Sequence, residues 1–418
     1  MFELPPLVPM RQQFDATEID DLEAVLTEGL RARLAAASFK AGETVAIGVG
    51  SRGVSPIQQV VRTVVKEIKA AGLRPFIVPA MGSHGGGTAE GQRDVLLDYG
   101  ITLDVVGAEI RATMDTVVLG TTPDDVEVHG DANAFGADHV VVIGRIKPHT
   151  GFHSDIESGL CKIMCVGLGK RAGAERIHEG GLTRTIPEAA TVMLDTGKIF
   201  FGVGLVENAF DRPAYARVAG PDEFHATDRE LLVEAKRLIA RIPTEQLHLL
   251  VIDEMGKNIS GSGMDTNVIG KWRRAGGEKV PLYEFISVLR LTAVSHGNAS
   301  GVGEADFTTR KLVDSVDWND SYVNAQTAMA PGMVARPMTF DTDRECLKMS
   351  AHIARRKARG ADLRMVRIKS TLEIETFLAT EPVAAEMEAA GTATRNGDAR
   401  ALEFTADGEL ADLADLAD

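Results

Sequence analysis

The sequence has few cysteines, no long apolar run and fewer basic than acidic residues, and each shortage excludes a class of protein. Three cysteines in 418 residues are too few for a disulfide framework, and Cys161 and Cys165 lack the paired CxxC spacing of a structural zinc site. No stretch approaches the ~18 apolar residues of a membrane-spanning helix. We therefore expect a folded protein that does not cross a membrane and that occupies a reducing compartment.

The charge balance argues against polyanionic partners. Lys and Arg number 45 against 60 Asp and Glu, which gives a formal net charge of −15, the wrong sign for gripping nucleic acid or an anionic membrane. The N-terminus carries Glu3, Pro5 and Pro6 where a signal peptide needs a basic start and an unbroken apolar run. We expect a cytoplasmic protein that binds neither nucleic acid nor membrane. Small anionic substrates stay open, because a pocket can concentrate cationic side chains locally.

The hydrophobic pattern predicts an α/β fold. Hydrophobic residues make up 44% and charged residues 25% of the chain, which is ordinary for a globular protein. Short apolar runs at 44–50, 74–80 and 138–144 alternate with amphipathic segments at 55–71 and 88–99. This alternation is typical of a mainly parallel sheet covered by helices.

The length of the chain favours two domains, since single domains run to roughly 100–200 residues. The segment Ile242-Pro243-Thr244 separates a predicted helix from a new apolar run, so we place the boundary there. The prediction is two α/β domains, 1–243 and 244–418, with the active site in the cleft between them. A polar, Gly-rich loop at 253–267 is expected to face that cleft.

Several polar residues follow directly on predicted strands. Arg52, His84 and His149 each lie just after the carboxyl end of a parallel strand, the edge at which open α/β sheets bind ligands. His178 lies in a further polar segment, ERIHEGG. Imidazole exchanges protons near neutral pH, with a reference pKa of about 6.5, and it also binds metals. From the residues alone, proton transfer and metal binding both remain open.

These segments resemble those of the nickel-pincer lactate racemase family, in order and in spacing. Arg52 in GSRG, His84 in GSHGGGT, His149 in KPHTGF, Lys162 in ESGLCK and His178 in RIHEGG each match a family motif. The sixteen positions from Lys162 to His178 equal the family's own interval and are the most specific part of the resemblance.

The resemblance implies a cofactor. The family uses a nickel-pincer nucleotide, pyridinium-3,5-bisthiocarboxylic acid mononucleotide nickel, which would be covalently attached to Lys162. His178 would be the protein's ligand to the nickel. Sulfur and carbon donors with one imidazole suit square-planar nickel, which is consistent with the absence of a larger His or Cys cluster motif. Enzymes that build the cofactor are then implied as partners.

The resemblance also implies a reaction, the racemisation or epimerisation of a 2-hydroxy acid. In the family a His removes the hydroxyl proton while hydride moves from C2 to the pincer, and a second His serves the opposite face. His84 and His149 would fill these roles, since inversion needs one acid–base group on each face. Arg52 and Lys257 would hold the carboxylate and polarise the developing carbonyl, and Trp318 lies about where the family has a pocket Trp.

The active-site loops differ from those of the lactate enzyme, and this bears on the substrate. Thirteen positions separate His149 from Lys162, about three more than in the family, and the family's Ser-Gly-Gly run before the Lys is replaced by residues 157–161. Gly53 follows Arg52 where a Pro is usual. We expect a substrate other than lactate, either longer or polyhydroxylated.

Two other functions remain open on the sequence. His84, His149 and His178 could bind a simple divalent metal ion in a lyase or hydrolase. Alternatively, the chain could bind a nucleotide or a hydroxy acid without catalysis. Intact mass discriminates among the three, because only the racemase interpretation predicts a stable adduct on Lys162.

Overall fold

The computed structural model describes residues 3–50, 55–270, 280–327 and 329–413. The chain forms two compact units. One comprises Asp15–Ile239, and the other comprises Met1–Phe14 together with Ala240–Asp418. We call the first the N-terminal unit and the second the C-terminal unit. The division falls at 239/240, four residues before the boundary drawn from the sequence. The first fourteen residues, which we expected in the N-terminal domain, belong to the C-terminal unit because their strand pairs with its sheet.

The N-terminal unit contains a five-stranded sheet and a separate two-stranded one. The strands of this unit are β2 (Thr44–Val49), β3 (Arg74–Pro79), β4 (Thr116–Thr121), β5 (Glu127–Asp131), β6 (His139–Arg145), β7 (Ile199–Glu207) and β8 (Pro213–Ala219). The main sheet has the order β3-β2-β6-β7-β8, in which the first four strands are parallel and β8 is antiparallel, whereas β4 and β5 form a hairpin. The predicted α/β class with mainly parallel pairing is confirmed.

Helices cover both faces of this sheet. They span Leu22–Ala36, Ile57–Ala70, Ala89–Asp98, Leu103–Val106, Ala132–Gly136, Leu160–Lys162, Lys170–Glu179, Leu182–Asp195 and Phe224–Leu238, with a π-helical turn at Ile163–Leu168. Side chains alternate along β2, so that Val45 and Ile47 pack against the helices Leu22–Ala36 and Ile57–Ala70. Ala46 faces the opposite core, which holds the segment from Leu160 onward. The sheet is therefore buried on both faces, as its continuous apolar strands predict.

The C-terminal unit is built on an eight-stranded mixed sheet with the order β12-β11-β10-β9-β13-β14-β1-β15. Its strands are β1 (Val8–Gln12), β9 (Gln246–Met255), β10 (Leu282–Leu291), β11 (Phe307–Thr309), β12 (Met338–Phe340), β13 (Met365–Ile368), β14 (Thr376–Ala379) and β15 (Ala393–Arg395). The five strands from β12 to β13 are parallel, and β1 pairs antiparallel with both β14 and β15. The described helices span Thr266–Ile269, Arg310–Asp314, Trp318–Thr327, Asp343–Lys357 and Glu381–Ala389.

The chain beyond the last strand packs on this unit. Leu410 and Leu413 are buried in a core with Leu347 and Met365, so the segment is docked at least as far as residue 413. Across the described ranges, no helix has the length and apolar character needed to cross a bilayer.

Candidate functional site

Two of the candidate histidines follow strands of the N-terminal unit's parallel sheet. His84 comes five residues after β3 ends, and His149 comes four residues after β6 ends. The carboxyl ends of these parallel strands meet at one edge of the sheet, where the sequence placed both residues. Arg52, which follows β2, lies outside the described residues.

Lys162 lies on the same edge, because its segment packs on the strand ends. The helical turn Leu160–Lys162 runs directly into the π-helical turn Ile163–Leu168, a kind of distortion that is frequent at functional sites. Ile163 covers two glycines at the ends of β2 and β6: a Cβ added to Gly50 or Gly144 would lie 3.0 Å from its side chain. Glycine at these two positions therefore lets the Lys162 turn press onto the sheet edge.

A buried carboxylate fixes the start of that turn. Asp228, on the helix Phe224–Leu238, accepts hydrogen bonds from the backbone amides of Leu160 (2.8 Å) and Cys161 (2.9 Å), and it is 1% exposed. Burial raises the pKa of Asp228, and the two amides oppose this by stabilising the carboxylate. Gly159 must be glycine, since a Cβ there would lie 2.3 Å from the Asp228 carboxylate. Asp228 lies more than sixty residues beyond Lys162, and no local pattern predicts its role.

A second buried carboxylate organises the loop that carries His149. Glu157 accepts hydrogen bonds from the amides of His149 (2.6 Å) and Ser154 (3.1 Å) and forms an ion pair with Lys236 (2.6 Å). Although burial raises the pKa of Glu157, hydrogen bonds from His153, Lys236 and the two amides outweigh it, and the pKa is lowered overall. Glu157 belongs to the stretch in which this sequence departs from the family motif. The residue introduced there therefore holds the backbone of the His149 loop.

The contacts of the His149 ring define its tautomer. The amide of Gly151 donates to Nδ1 at 2.9 Å, and the ring packs on Phe152 with 4.5 Å between the ring centroids. A ring nitrogen that accepts a hydrogen bond carries no proton, so neutral His149 holds its proton on Nε2. To take up a proton at Nε2, the ring must first transfer its proton to Nδ1 and release the Gly151 amide.

The loop that carries His84 is rich in glycine and rests on the Lys162 turn. Gly82, Gly85, Gly86 and Gly87 all have φ between +59° and +67°, the left-handed region that favours glycine. The amide of Gly82 donates to the carbonyl of Gly167 (3.0 Å), in the π-helical turn after Lys162. The structure thus joins the His84 and Lys162 segments by direct backbone contact, and His84 itself is exposed.

His178 has the form that a metal ligand requires. It is half-buried on the helix Lys170–Glu179, and its Nδ1 lies 2.6 Å from the carbonyl oxygen of Ala174, one turn earlier. Because a carbonyl only accepts, Nδ1 carries the proton and Nε2 of the neutral ring holds a lone pair. A hydrogen bond of this kind orients many metal-binding histidines, so His178 fits a nickel centre that takes one imidazole from the protein.

An ion pair at the ends of β6 and β7 holds the backbone of Ser55. Arg145 contacts the carboxylate of Glu207 at 2.6 Å, and the other oxygen of Glu207 accepts from the amide of Ser55 at 2.6 Å. Burial raises the pKa of Glu207, whereas the charge of Arg145 lowers it. These two residues thus fix the backbone of Ser55, and neither was predicted from the sequence.

The two cysteines beside Lys162 pack in the core. Cys161 and Cys165 are both buried, and burial raises the pKa of Cys165 to about 12. A thiol with that pKa stays protonated at neutral pH and is a poor ligand and nucleophile. In the part of the chain that the structure describes, no group of three or more His, Cys, Asp or Glu side chains is arranged to hold a metal ion.

The C-terminal unit holds the remaining candidates. The amide of Lys257 donates to Ser295 Oγ (2.8 Å), and its Nζ donates to the carbonyl of Gly261 (2.8 Å), within the loop after β9. Trp318 is half-buried at the start of a helix. Asp253 was expected in the polar loop but lies within β9, where it forms a fully buried ion pair with Arg367 (2.7 Å). The expectation for Asp253 is wrong, because its charge is neutralised within the core.

Comparisons with known proteins relate the chain to lactate racemase. A family model described as the lactate racemase N-terminal domain matches residues 7–184, which include Arg52, His84, His149, Lys162 and His178. No curated protein sequence matches the chain. The fold is similar to that of the lactate racemase apoprotein from Thermoanaerobacterium thermosaccharolyticum, with a TM-score of 0.51 and 13% identity over 88% of this chain and 99% of that one. Residues 7–184 are therefore similar to the lactate racemase N-terminal domain, and the chain shares the fold of a lactate racemase.

Proposed function

We propose that the protein is an isomerase that racemises or epimerises a 2-hydroxy acid, using a nickel-pincer nucleotide attached to Lys162. The observation that carries the proposal is the state of His178, whose Nδ1–H donates to the Ala174 carbonyl, so that Nε2 of the neutral ring keeps its lone pair. Gly50 and Gly144 leave room for the Lys162 turn to pack on the sheet edge, and this packing supports Lys162 as the point of attachment.

The residues present fit this cofactor. Lys162 would hold it covalently and His178 would bind its nickel through Nε2. When bound, the cofactor would supply a reversible acceptor for the hydrogen on C2 of the substrate. The protein's own part is then to bind the carboxylate, orient C2, exclude water and move the hydroxyl proton.

His84 and His149 are proposed to move that proton. Each would act as base for one enantiomer and as acid for the other, so both are needed for inversion. The two are held differently, His84 on an exposed glycine loop and His149 against Phe152 with its Nδ1 accepting from Gly151. His149 therefore presents an Nε2–H first, which suits the acid role toward a carbonyl oxygen at C2, and this proton must move to Nδ1 before the ring can act as base toward a hydroxyl.

The carboxylate of the substrate is proposed to bind Arg52 and Lys257. A guanidinium can grip a carboxylate with two parallel hydrogen bonds, and an ammonium adds a point charge. The Glu207–Ser55 hydrogen bond holds the chain at Ser55, three positions after Arg52 in the sequence. The lengthened loop between His149 and Lys162 supports a substrate other than lactate, either longer or polyhydroxylated.

The proposal extends to partners and location. Enzymes that build the pincer nucleotide would supply it to this protein, and the other partner would be a small 2-hydroxy acid. Cys161, Cys165 and Cys346 are all free and buried, which supports a reducing, cytoplasmic location.

The test is stereochemical. The protein is produced with and without the cofactor-building enzymes and incubated with single enantiomers of a panel of 2-hydroxy acids, from lactate to polyhydroxylated acids. Chiral chromatography should show the opposite configuration at C2 forming only with loaded protein. Loaded protein that leaves every enantiomer unchanged, or that yields elimination or hydrolysis products instead, would contradict the proposal.

A further inference from the structure

A buried polar chain lies beneath the loop that carries His84, here called the His84 loop and defined as residues 81–88. Lys170 is fully buried, and its Nζ contacts Asp131 at 2.9 Å, Gln92 Oε1 at 3.1 Å and the carbonyl oxygen of Pro79. The ammonium thus donates hydrogen bonds to Gln92 and Pro79 and forms an ion pair with Asp131, so three different elements hold it. Burial lowers the pKa of Lys170, while Asp131 opposes this.

Gln92 carries the chain from Lys170 to the His84 loop. It is 0% exposed, and its Nε2 donates to the carbonyl of Gly82 at 2.7 Å and to the carbonyl of His84 at 3.3 Å. An ammonium can only donate hydrogen bonds, so Lys170 must face Oε1 of Gln92 and not its Nε2. The side-chain amide of Gln92 therefore cannot be reversed. Lys170 therefore fixes which end of Gln92 faces the loop.

The His84 loop needs such a clamp. Four of its eight residues are glycines in the left-handed region, and glycine loses more conformational freedom on ordering than any other residue. Most of its backbone hydrogen bonds are local, from His84 N to Met81 O, Gly87 N to His84 O and Thr88 N to Gly85 O, whereas Gly82 N reaches Gly167 O. Gln92 donates to the carbonyl of His84, so it holds the backbone of the residue whose ring is proposed to contact the substrate.

Lys170 also joins this loop to the proposed nickel ligand. It begins the helix Lys170–Glu179, which carries His178 two turns later, and it does so with φ of +53°, an unfavourable conformation for a lysine. Such strain persists only where the surroundings impose it. One buried ammonium therefore ties the backbone before His84 to the start of the His178 helix.

We propose that Gln92 is a positioning residue that fixes the backbone of His84, and that Lys170 holds Gln92 in the orientation this requires. The role assigned to His84 rests on the proposed function. The hydrogen-bonding role of Gln92 does not, so the two can fail separately.

The first arm of the test uses the protein without cofactor. Gln92→Met removes both the donor and the acceptor at nearly constant volume, and Gln92→Glu keeps the acceptor for Lys170 but removes the donors. Amide hydrogen exchange in residues 81–88 should become at least about tenfold faster in both variants, with residues 145–158 unchanged. The matched control is Gln58→Met, because exposed Gln58 also donates to a carbonyl, that of Tyr99 (2.9 Å), far along the chain.

The second arm uses loaded protein and single turnovers of each enantiomer. A displaced His84 should slow oxidation of one enantiomer about 100-fold, while the other, served by His149, changes less than about threefold. A general loss of structure would slow both alike.

Unchanged exchange in residues 81–88, or equal slowing of both enantiomers, would overturn the positioning role. If loaded wild-type protein inverts no hydroxy acid, the proposed function fails, and the exchange measurement still decides whether Gln92 holds the loop.

Discussion

The carboxylate of Asp228 accepts a hydrogen bond from the backbone amide of Cys161 at 2.9 Å, although 67 positions separate the two residues. Cys161 is the residue immediately before Lys162, so a carboxylate from a distant helix sets the direction of the turn on which the cofactor would be carried. The N-terminal end of a helix attracts negative charge and needs acceptors for its free amides, and Asp228 provides both.

Replacing Asp228 should loosen this turn. Asp228→Ala leaves the buried amides of Leu160 and Cys161 without an acceptor, and we expect the free energy of unfolding to fall by about 2–3 kcal/mol. The control is Asp21→Ala, which removes an exposed cap of the helix Leu22–Ala36 and should cost about 1 kcal/mol. Urea unfolding measures both, and equal losses would show that Asp228 is an ordinary cap.

Glu157 should make stability depend on acid pH. Its pKa is lower in the folded than in the unfolded protein, so its contribution is fully present above the unfolded value of about 4.3 and is lost as the pH falls through the folded value. Glu157→Gln should therefore cost about 2 kcal/mol or more at pH 7, and progressively less below about pH 4.

The comparison for Glu157 is Glu18→Gln, which breaks an exposed ion pair with Arg212 and should change stability by less than about 1 kcal/mol at either pH. Urea unfolding across this pH range measures both variants. A cost for Glu157→Gln that is the same at every pH would contradict the charge-based role of Glu157 in the His149 loop.

Nickel retention tests the assignment of His178. His178→Ala removes the only protein ligand proposed for the metal, so loaded protein should lose nickel and activity while its unfolding transition stays near that of the wild type. His225→Ala is the control, because that half-buried ring also contacts a carbonyl oxygen, that of Pro187 (3.0 Å), and should keep its nickel. Metal analysis after desalting decides between the two results, and stoichiometric nickel in His178→Ala would reject the ligand role.

The two proposed acid–base residues should fail asymmetrically. His84→Ala and His149→Ala should each abolish net inversion, because each removes the proton carrier for one face. Each loaded variant should still oxidise one enantiomer of a 2-deuterated substrate in a single turnover and stay slow toward its mirror image. Near-normal inversion by either variant would show that its His is not the base assigned to it.

The elements that could be predicted from the sequence are those with a strong apolar pattern. The strand predicted at 44–50 is observed at Thr44–Val49, where a continuous apolar run is buried on both faces. The helix predicted at 55–71 is observed at Ile57–Ala70, because its apolar residues repeat at helical spacing. The placement of His84 and His149 at one sheet edge followed from parallel pairing, which brings the carboxyl ends of strands together.

What escaped prediction depends on contacts between distant parts of the chain. Asp228, Glu207 and Gln92 are ordinary polar residues in their local sequence, and only tertiary packing buries them beneath the loops they hold. The pairing of β1 with β14 and β15 likewise joins the first residues to the C-terminal unit, a long-range contact with no local signal. Asp253 was misread because a polar residue near a loop can equally end a buried strand opposite an arginine.

The attachment of the cofactor to Lys162 is the central claim, and peptide mass mapping tests it most directly. Protein produced together with the cofactor-building enzymes is compared with Lys162→Arg, which keeps the positive charge but cannot form the thioamide. The account predicts a mass increase confined to the peptide that contains Lys162, absent from the variant and from protein produced alone. Fully active protein with an unmodified Lys162 peptide would contradict it.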